Sequence, residues 1–184
     1  MSHELQNLVE IEKIKQLKYR YFRHLDSKKF GDIIELFTED ATTAYDNGRH
    51  SYQGREQIFK FLDESMTTPD SLTAHQAHHP EITLVDENHA TGIWHFEDTV
   101  HRLDFRVLIF GAGIYWDEYV KVDGQWKIAH TGYERLWVRT EKIDEERLLE
   151  MRGMWSKGDI IRSNQRTKKA AELALFPQRD IPAE

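Results

Sequence analysis

The first third of the chain has the spacing of amphipathic helices. Over 4–29, apolar residues recur every three or four positions, the stripe that a helix buries against a core: Leu5, Leu8, Ile11, Ile14, Leu17, Tyr21 and Leu25. A bend at Phe30-Gly31 separates this helix from a shorter one predicted over 32–37. A third helix is predicted over 55–66. We therefore expect three helices, the first two forming a helical hairpin.

The rest of the sequence has the texture of antiparallel strands. A short strand is predicted before the third helix, and two hairpins after it, the second around Asp123-Gly124: strands 41–45, 82–85, 90–101, 107–122 and 125–139. No crossover helices lie between the hairpin strands, so the pattern predicts an α+β fold. We expect a cone-shaped α+β barrel, in which helices pack on one face of a curved antiparallel sheet. Such a cone leaves an apolar pocket at its open end.

The cone domain is predicted to span residues 1–139 of the 184-residue chain, and 140–184 a charged C-terminal extension. Two stretches of the extension, 142–155 and 167–176, have a loosely helical pattern. An exposed sheet edge and this long tail favour self-association.

Composition and charge reduce the number of function classes that the chain can belong to. Hydrophobic residues make up 39% of the chain and aromatic residues 11%, enough for a core. The chain has no cysteine, which excludes disulfides, thiolate catalysis and cysteine-bound metals. A net charge of -7 argues against nucleic acid as a partner. Neither a membrane-length apolar run nor a signal-peptide pattern occurs, so we expect a cytoplasmic protein that does not engage membranes and acts on a small molecule.

Asp26 stands beside the apolar stripe at the end of the first helix, where a carboxylate is unusual. It either borders the following turn in solvent or is buried. A buried carboxylate needs a donor, and histidine is a natural one.

The segment HQAHHP, at 75–80, offers three histidines. A metal site would need helical spacing, which Pro80 opposes. In an ideal strand His78 shares a face with Ile82, which makes His78 the pocket residue and turns His75 away. A bulge at Pro80 would reset that alternation. The residues alone leave both histidines open.

Polar side chains also interrupt apolar strand faces. Asp98 shares a face with Trp94 and Phe96, and Arg135 shares a face with Tyr133 and Trp137 on the last strand. The simplest interpretation of Arg135 is an ion pair with either Asp98 or Glu134. No phosphate loop, nucleophile elbow or dinucleotide fingerprint is present.

Three segments resemble a known family: IEKIKQLKYRYFRHLD at 11–26, HQAHHPEITLVDENHATGIWHFED at 75–98 and YVKVDGQWKIAHTGYER at 119–135. They are similar to the SnoaL-like branch of the nuclear transport factor 2-like superfamily, over roughly residues 8–138. In particular the chain resembles the bacterial bile acid 7-alpha-dehydratases. Scytalone dehydratases and hexachlorocyclohexane dehydrochlorinases are more distant relatives. The resemblance implies the same cone fold, and it favours a trimer.

The resemblance also implies site residues. In these lyases an aspartate at the end of the first helix and a histidine on the facing sheet form a dyad. Those positions fall on Asp26 and His75, so the resemblance prefers His75 over His78. It implies catalytic tyrosines at Tyr21 and Tyr45. The predicted substrate-binding residues are Asp98, Arg135, Tyr133 and His78. No metal or organic cofactor is required.

The expected activity is the elimination of water from a hydroxylated 3-oxo-4-ene steroid or bile-acid-like substrate. His75 would take the proton, and a tyrosine would assist the departing hydroxyl. Two alternatives stay open: a cofactor-free isomerase, epimerase or hydratase acting on a related ketone, and a non-enzymatic module that binds a small ligand.

Overall fold

The computed structural model describes residues 2–143 and, beyond them, two short strands that pair with each other, β7 (Glu150–Met151) and β8 (Ile161–Arg162). The main body contains nine elements, in chain order α1 (His3–Asp26), α2 (Phe30–Ile34), β1 (Phe37–Tyr45), β2 (His50–Gln53), α3 (Arg55–Met66), β3 (Ser71–Leu84), β4 (His89–Arg102), β5 (Val107–Val122) and β6 (Gln125–Lys142). The α+β class predicted from the sequence is confirmed.

The six strands form one sheet in the order β2-β1-β6-β5-β4-β3. The cone fold is confirmed, with two differences from the expected antiparallel barrel. β1 pairs with β6 in parallel, so the sheet is mixed. The sheet is also open, because β2 and β3 remain at its edges. The parallel pair joins strands that lie far apart in the sequence, and hairpin signals carry no information about such a pair.

Helix α1 begins at a Ser2 cap, whose hydroxyl accepts a hydrogen bond from the Leu5 backbone N–H at 3.3 Å. Its apolar stripe packs against side chains of the sheet in one core, which includes Ile14, Leu17, Tyr21, Phe22, Leu25, Trp94, Phe96, Tyr115 and Ile128. Each fully buried large apolar side chain contributes about 1.5–3 kcal/mol. The helix ends at Asp26, and Lys28 follows in the left-handed conformation, with φ of 58°. The stripe thus fixes where Asp26 meets the sheet.

Several boundaries differ from the sequence prediction. Helix α2 ends at Ile34, because Phe37 is fully buried and begins β1. Strand β2 was not predicted. Strand β3 begins at Ser71 rather than at residue 82, and thereby includes the whole histidine segment.

The bulge in β3 determines which histidine faces the helices. The register of β3 against β4 shifts between His78 and Glu81, and His79 has a left-handed φ of 49°. His75 precedes the shift and Ile82 follows it, so these two residues share a face although their spacing is odd. The expectation from ideal alternation, that His78 occupies the pocket face, is therefore wrong.

The C-terminal extension lies largely outside the described residues. Strand β6 continues to Lys142, beyond the proposed boundary at residue 139. Glu150–Met151 is a strand although it falls within the stretch 142–155 that we predicted as helical. The second predicted helical stretch, 167–176, lies outside the described residues. In the described part of the chain, no helix is long and apolar enough to span a bilayer.

Candidate active site

The end of α1 brings Asp26 onto His75. The imidazole Nδ1 lies 2.7 Å from Asp26 Oδ1, and the backbone N–H of His75 donates to Oδ2 at 2.8 Å. Thr73, two residues earlier on β3, donates its hydroxyl to Oδ1 at 2.9 Å. These hydrogen bonds fix both carboxylate oxygens. The structure thus joins the two residues for which the resemblance implied a dyad.

The dyad has the charges that a base requires. Burial acts to raise the pKa of Asp26, but hydrogen bonds from His75 and Thr73 outweigh it, so the net pKa lies below its ordinary value. An ionised Asp26 can accept the Nδ1–H of His75, and in that tautomer of the neutral imidazole Nε2 carries the lone pair. The Asp26 and His75 side chains are 26% and 11% exposed, so the dyad lies at the surface of the core rather than in bulk solvent. Nε2 can therefore serve as a general base.

Two tyrosines form a donor pair deeper in the core. The hydroxyls of Tyr21 and Tyr45 lie 2.9 Å apart, and both side chains are buried. Burial raises the pKa of each well above its ordinary value, so both remain protonated. One hydroxyl donates to the other, and Tyr21 also forms a hydrogen bond with Tyr115.

An aromatic wall continues from this pair. The ring of Tyr133 lies 5.8 Å from Tyr45, 5.0 Å from Phe96 and 5.1 Å from Tyr115. Burial raises the pKa of Tyr133 and, further, that of Tyr115. Phe22, stacked on His75 at 6.1 Å, connects the wall to the dyad. One face of the candidate base thus packs against an aromatic ring.

The prediction that Arg135 forms an ion pair is confirmed, and of the two predicted partners the structure selects Asp98. The two guanidinium nitrogens donate to the two carboxylate oxygens at 2.6 and 2.7 Å. Burial acts to lower the pKa of Arg135, but Asp98 raises it overall, so the cation persists. Asp98 is directly opposite His75 in the register of β3 and β4. A Cβ at Gly111 would collide with the guanidinium, so a larger residue there would displace the Arg135 side chain.

His78 does not join this group. It is paired opposite the exposed His95, and its ring lies 6.0 Å from that of His79. The regular register from His75 to His78 puts it on the face away from Asp98, so we do not retain it as a substrate contact. The histidine segment is a strand, and within 2–143 and the two short strands no group of three or more His, Cys, Asp or Glu is arranged to hold a metal.

Sequence analysis missed a buried ion pair beneath the aromatic wall. Lys18 Nζ lies 2.7 Å from Asp117 Oδ2 and 3.2 Å from the Thr131 hydroxyl. The ammonium also lies 3.8 Å from the ring centroid of Tyr115. Burial lowers the pKa of Lys18 although Asp117 opposes this effect. A buried polar cluster of Lys18, Asp117 and Thr131 therefore lies next to the aromatic residues of the core.

Comparison with known proteins supports the fold. A family model described as a SnoaL-like domain matches residues 6–132. A putative scytalone dehydratase from Novosphingobium aromaticivorans is 26% identical, with a TM-score of 0.67, and the match covers 75% of this chain and 91% of that one.

Two further solved structures are similar in fold. The hexachlorocyclohexane dehydrochlorinase LinA-type3 from Novosphingobium barchaimii is 19% identical, with a TM-score of 0.67 and coverage of 75% and 94% of the two chains. An NTF2-like protein with a cystatin-like fold from Novosphingobium aromaticivorans is 19% identical, with a TM-score of 0.59 and coverage of 72% and 86%. At this identity they inform the fold alone.

Proposed function

The chain belongs to the SnoaL-like family, and on that premise we propose that it is a cofactor-independent lyase that eliminates water from a hydroxylated ketone or enone. The observation that carries the proposal is the Asp26–His75 dyad, in which Nδ1 lies 2.7 Å from the carboxylate and the imidazole stacks on Phe22 of the core. A non-enzymatic binding module has no need of an ionised carboxylate that orients an imidazole.

The finer proposal is a hydroxylated 3-oxo-4-ene steroid or a bile-acid-like molecule as substrate. It is supported by the resemblance to bile acid 7-alpha-dehydratases and by the likeness to a putative scytalone dehydratase. The aromatic wall, which includes Tyr133 and Phe96, also supports it. The Arg135 cation is suited to position an acidic group on such a substrate.

The reaction follows from these groups. Nε2 of His75 removes a proton from the carbon beside the enone, and the electron pair of the broken C–H bond spreads toward the carbonyl oxygen. The same electrons then form the new double bond and break the C–O bond. The departing hydroxyl takes a proton from the Tyr21–Tyr45 pair and leaves as water. Return of the proton from His75 to the tyrosine, directly or through solvent, restores the enzyme. Buried, pre-oriented donors of this kind contribute several kcal/mol in a dry site.

The proposal is tested by product mass. Purified full-length protein, without added cofactor, is incubated with 7-hydroxy-3-oxo-4-ene steroids and with matched steroids that lack the 4-ene. We expect a product lighter by one water from the enones alone, because only the enone acidifies the hydrogen. A product of unchanged mass would indicate an isomerase or epimerase, and a heavier one a hydratase. Saturable binding without turnover would favour a ligand-binding module.

We also propose that the protein is a homo-oligomer, and specifically a trimer. Three large apolar side chains on β5 and β6, Trp116, Leu136 and Trp137, are between 47% and 59% exposed. Sedimentation at micromolar concentration should give the mass of three chains, and Trp137→Glu should shift it toward one. Val85→Glu is the control, because Val85 is exposed on the β3–β4 turn. A monomeric wild type, or equal effects of both variants, would contradict the proposal.

A further inference from the structure

A chain of hydrogen bonds joins Lys28 to the dyad. The Lys28 ammonium donates to the Thr73 hydroxyl oxygen at 3.1 Å. That hydroxyl donates to Asp26 Oδ1 at 2.9 Å, and the same oxygen lies 2.7 Å from His75 Nδ1. A single side chain therefore separates the ammonium from the carboxylate of the candidate base.

The hydrogen bonds from Lys28 through Thr73 to Asp26 all donate in the same direction. An ammonium can only donate, so Thr73 must accept from Lys28 and turn its own hydrogen toward Asp26. Charge-assisted hydrogen bonds are roughly twice as strong as neutral ones. The positive charge on Lys28 thus strengthens the hold of Thr73 on the carboxylate.

Lys28 is placed to lose this charge in an accessible pH range. Burial lowers its pKa to about 8, the charge of Asp26 opposes the shift, and Arg102 on β4 adds to it. His75 on β3 is the other titratable group in the hydrogen-bonded chain. The ammonium form dominates at neutral pH and declines above about 8.

We propose that Lys28 is a positioning residue for the dyad, whose positive charge acts through Thr73 to keep Asp26 ionised and turned toward His75 Nδ1. This inference rests on the proposed function of His75 as the base. When Lys28 loses its proton, the hydroxyl of Thr73 holds the carboxylate less firmly. Elimination then slows although every group that touches the substrate is unchanged.

The test is the pH profile of kcat/KM from about pH 6 to 10 in wild type, Lys28→Arg and Lys28→Met. In wild type we expect a fall of roughly three- to tenfold through about pH 8, the size expected when a charge-assisted hydrogen bond becomes neutral. Lys28→Arg should keep the neutral-pH rate and lose the fall, because arginine stays charged. Lys28→Met should already be low at neutral pH and show no fall. Lys29→Met is the matched control and should follow wild type, because Lys29 is adjacent but lies 4.0 Å from Asp32 instead of contacting the dyad.

A second variant keeps the test independent of how Lys28→Met folds. Thr73→Val removes the connecting hydroxyl while leaving the lysine in place, and it should also abolish the fall near pH 8. An NMR titration of the lysine ammonium shows directly whether Lys28 still titrates in this variant. If Lys28→Arg and Thr73→Val both retain the wild-type profile while His75→Gln is inactive, the inference is overturned and the base assignment stands. If His75→Gln is fully active, the proposed function itself fails.

Discussion

Replacing His75 with glutamine should lower kcat for water elimination by about a hundred- to ten-thousand-fold, the usual contribution of a positioned general base. Glutamine has a comparable reach and can still donate to Asp26, which now contacts His75 Nδ1 at 2.7 Å. It has no nitrogen that accepts a proton at neutral pH. We therefore expect the fold and substrate binding to persist while turnover is lost. Product mass and steady-state rates, with thermal unfolding as a check on folding, measure this.

His78→Gln is the matched control, because it makes the same substitution three residues away, on the other side of the sheet. His78 is paired opposite His95 and lies beyond contact with Asp26. Turnover should therefore stay close to that of wild type. The opposite result, with His78→Gln inactive and His75→Gln active, would show that the resemblance assigned the base to the wrong histidine.

The sequence predicted those parts of the fold that depend on local pattern. Helix α3 begins and ends at the predicted residues, and the hairpin around Asp123-Gly124 is present. The parallel pairing of β1 with β6 was not predicted, because no turn connects these strands. Strand β3 was predicted too short, since Pro80 and the polar residues before it conceal a continuous strand. Local sequence patterns therefore predicted where helices and strands lie better than they predicted which strands pair with each other.

The candidate site was predictable to a similar degree. The position of Asp26 beside an apolar stripe was an anomaly visible in the residues, and the choice of His75 depended on the resemblance. Backbone geometry decides between the histidines, because His79 adopts a left-handed φ of 49° and resets the strand. Pro80 indicated that a bulge would reset the alternation, but the sequence did not show that the bulge is formed. The contacts of Thr73 and Lys28 with the dyad are equally non-local.

Lys18 is different, because the sequence did carry a signal for it. It lies four residues after Ile14 and four before Phe22, within the stripe that α1 buries. Its partner Asp117 shares a face of β5 with Tyr115 and Tyr119, and this face is otherwise aromatic. A lysine on a buried helical face and an aspartate on a buried strand face predict each other, since neither charge is tolerated alone in a core.

Removing one member of the Lys18–Asp117 pair should destabilise the fold by about 3–5 kcal/mol, because the remaining charge stays buried without its counter-ion. Both side chains are 0% exposed. In Lys18→Met, Asp117 keeps the hydroxyl donors of Tyr119 and Thr131 but has no cation. In Asp117→Leu, the ammonium keeps the Thr131 hydroxyl as its acceptor and the ring face of Tyr115, and has no anion. Urea unfolding monitored by circular dichroism gives both free energies, provided that the m-value is unchanged.

The double variant Lys18→Met/Asp117→Leu should recover most of this loss, because it removes both buried charges together and replaces them with apolar side chains. If instead the two losses add, each charge is stabilised by its own surroundings rather than by the other. Lys121→Met provides the comparison at the opposite end of α1, where Lys121 contacts Glu10 at 2.8 Å but is 19% exposed. Glu10 keeps Lys13 and Trp126 as donors, so Lys121→Met should lower the free energy of unfolding by about 1 kcal/mol or less. The contrast between the two lysines separates the effect of burial from that of ion pairing, because both lysines are paired and only Lys18 lies fully inside the core.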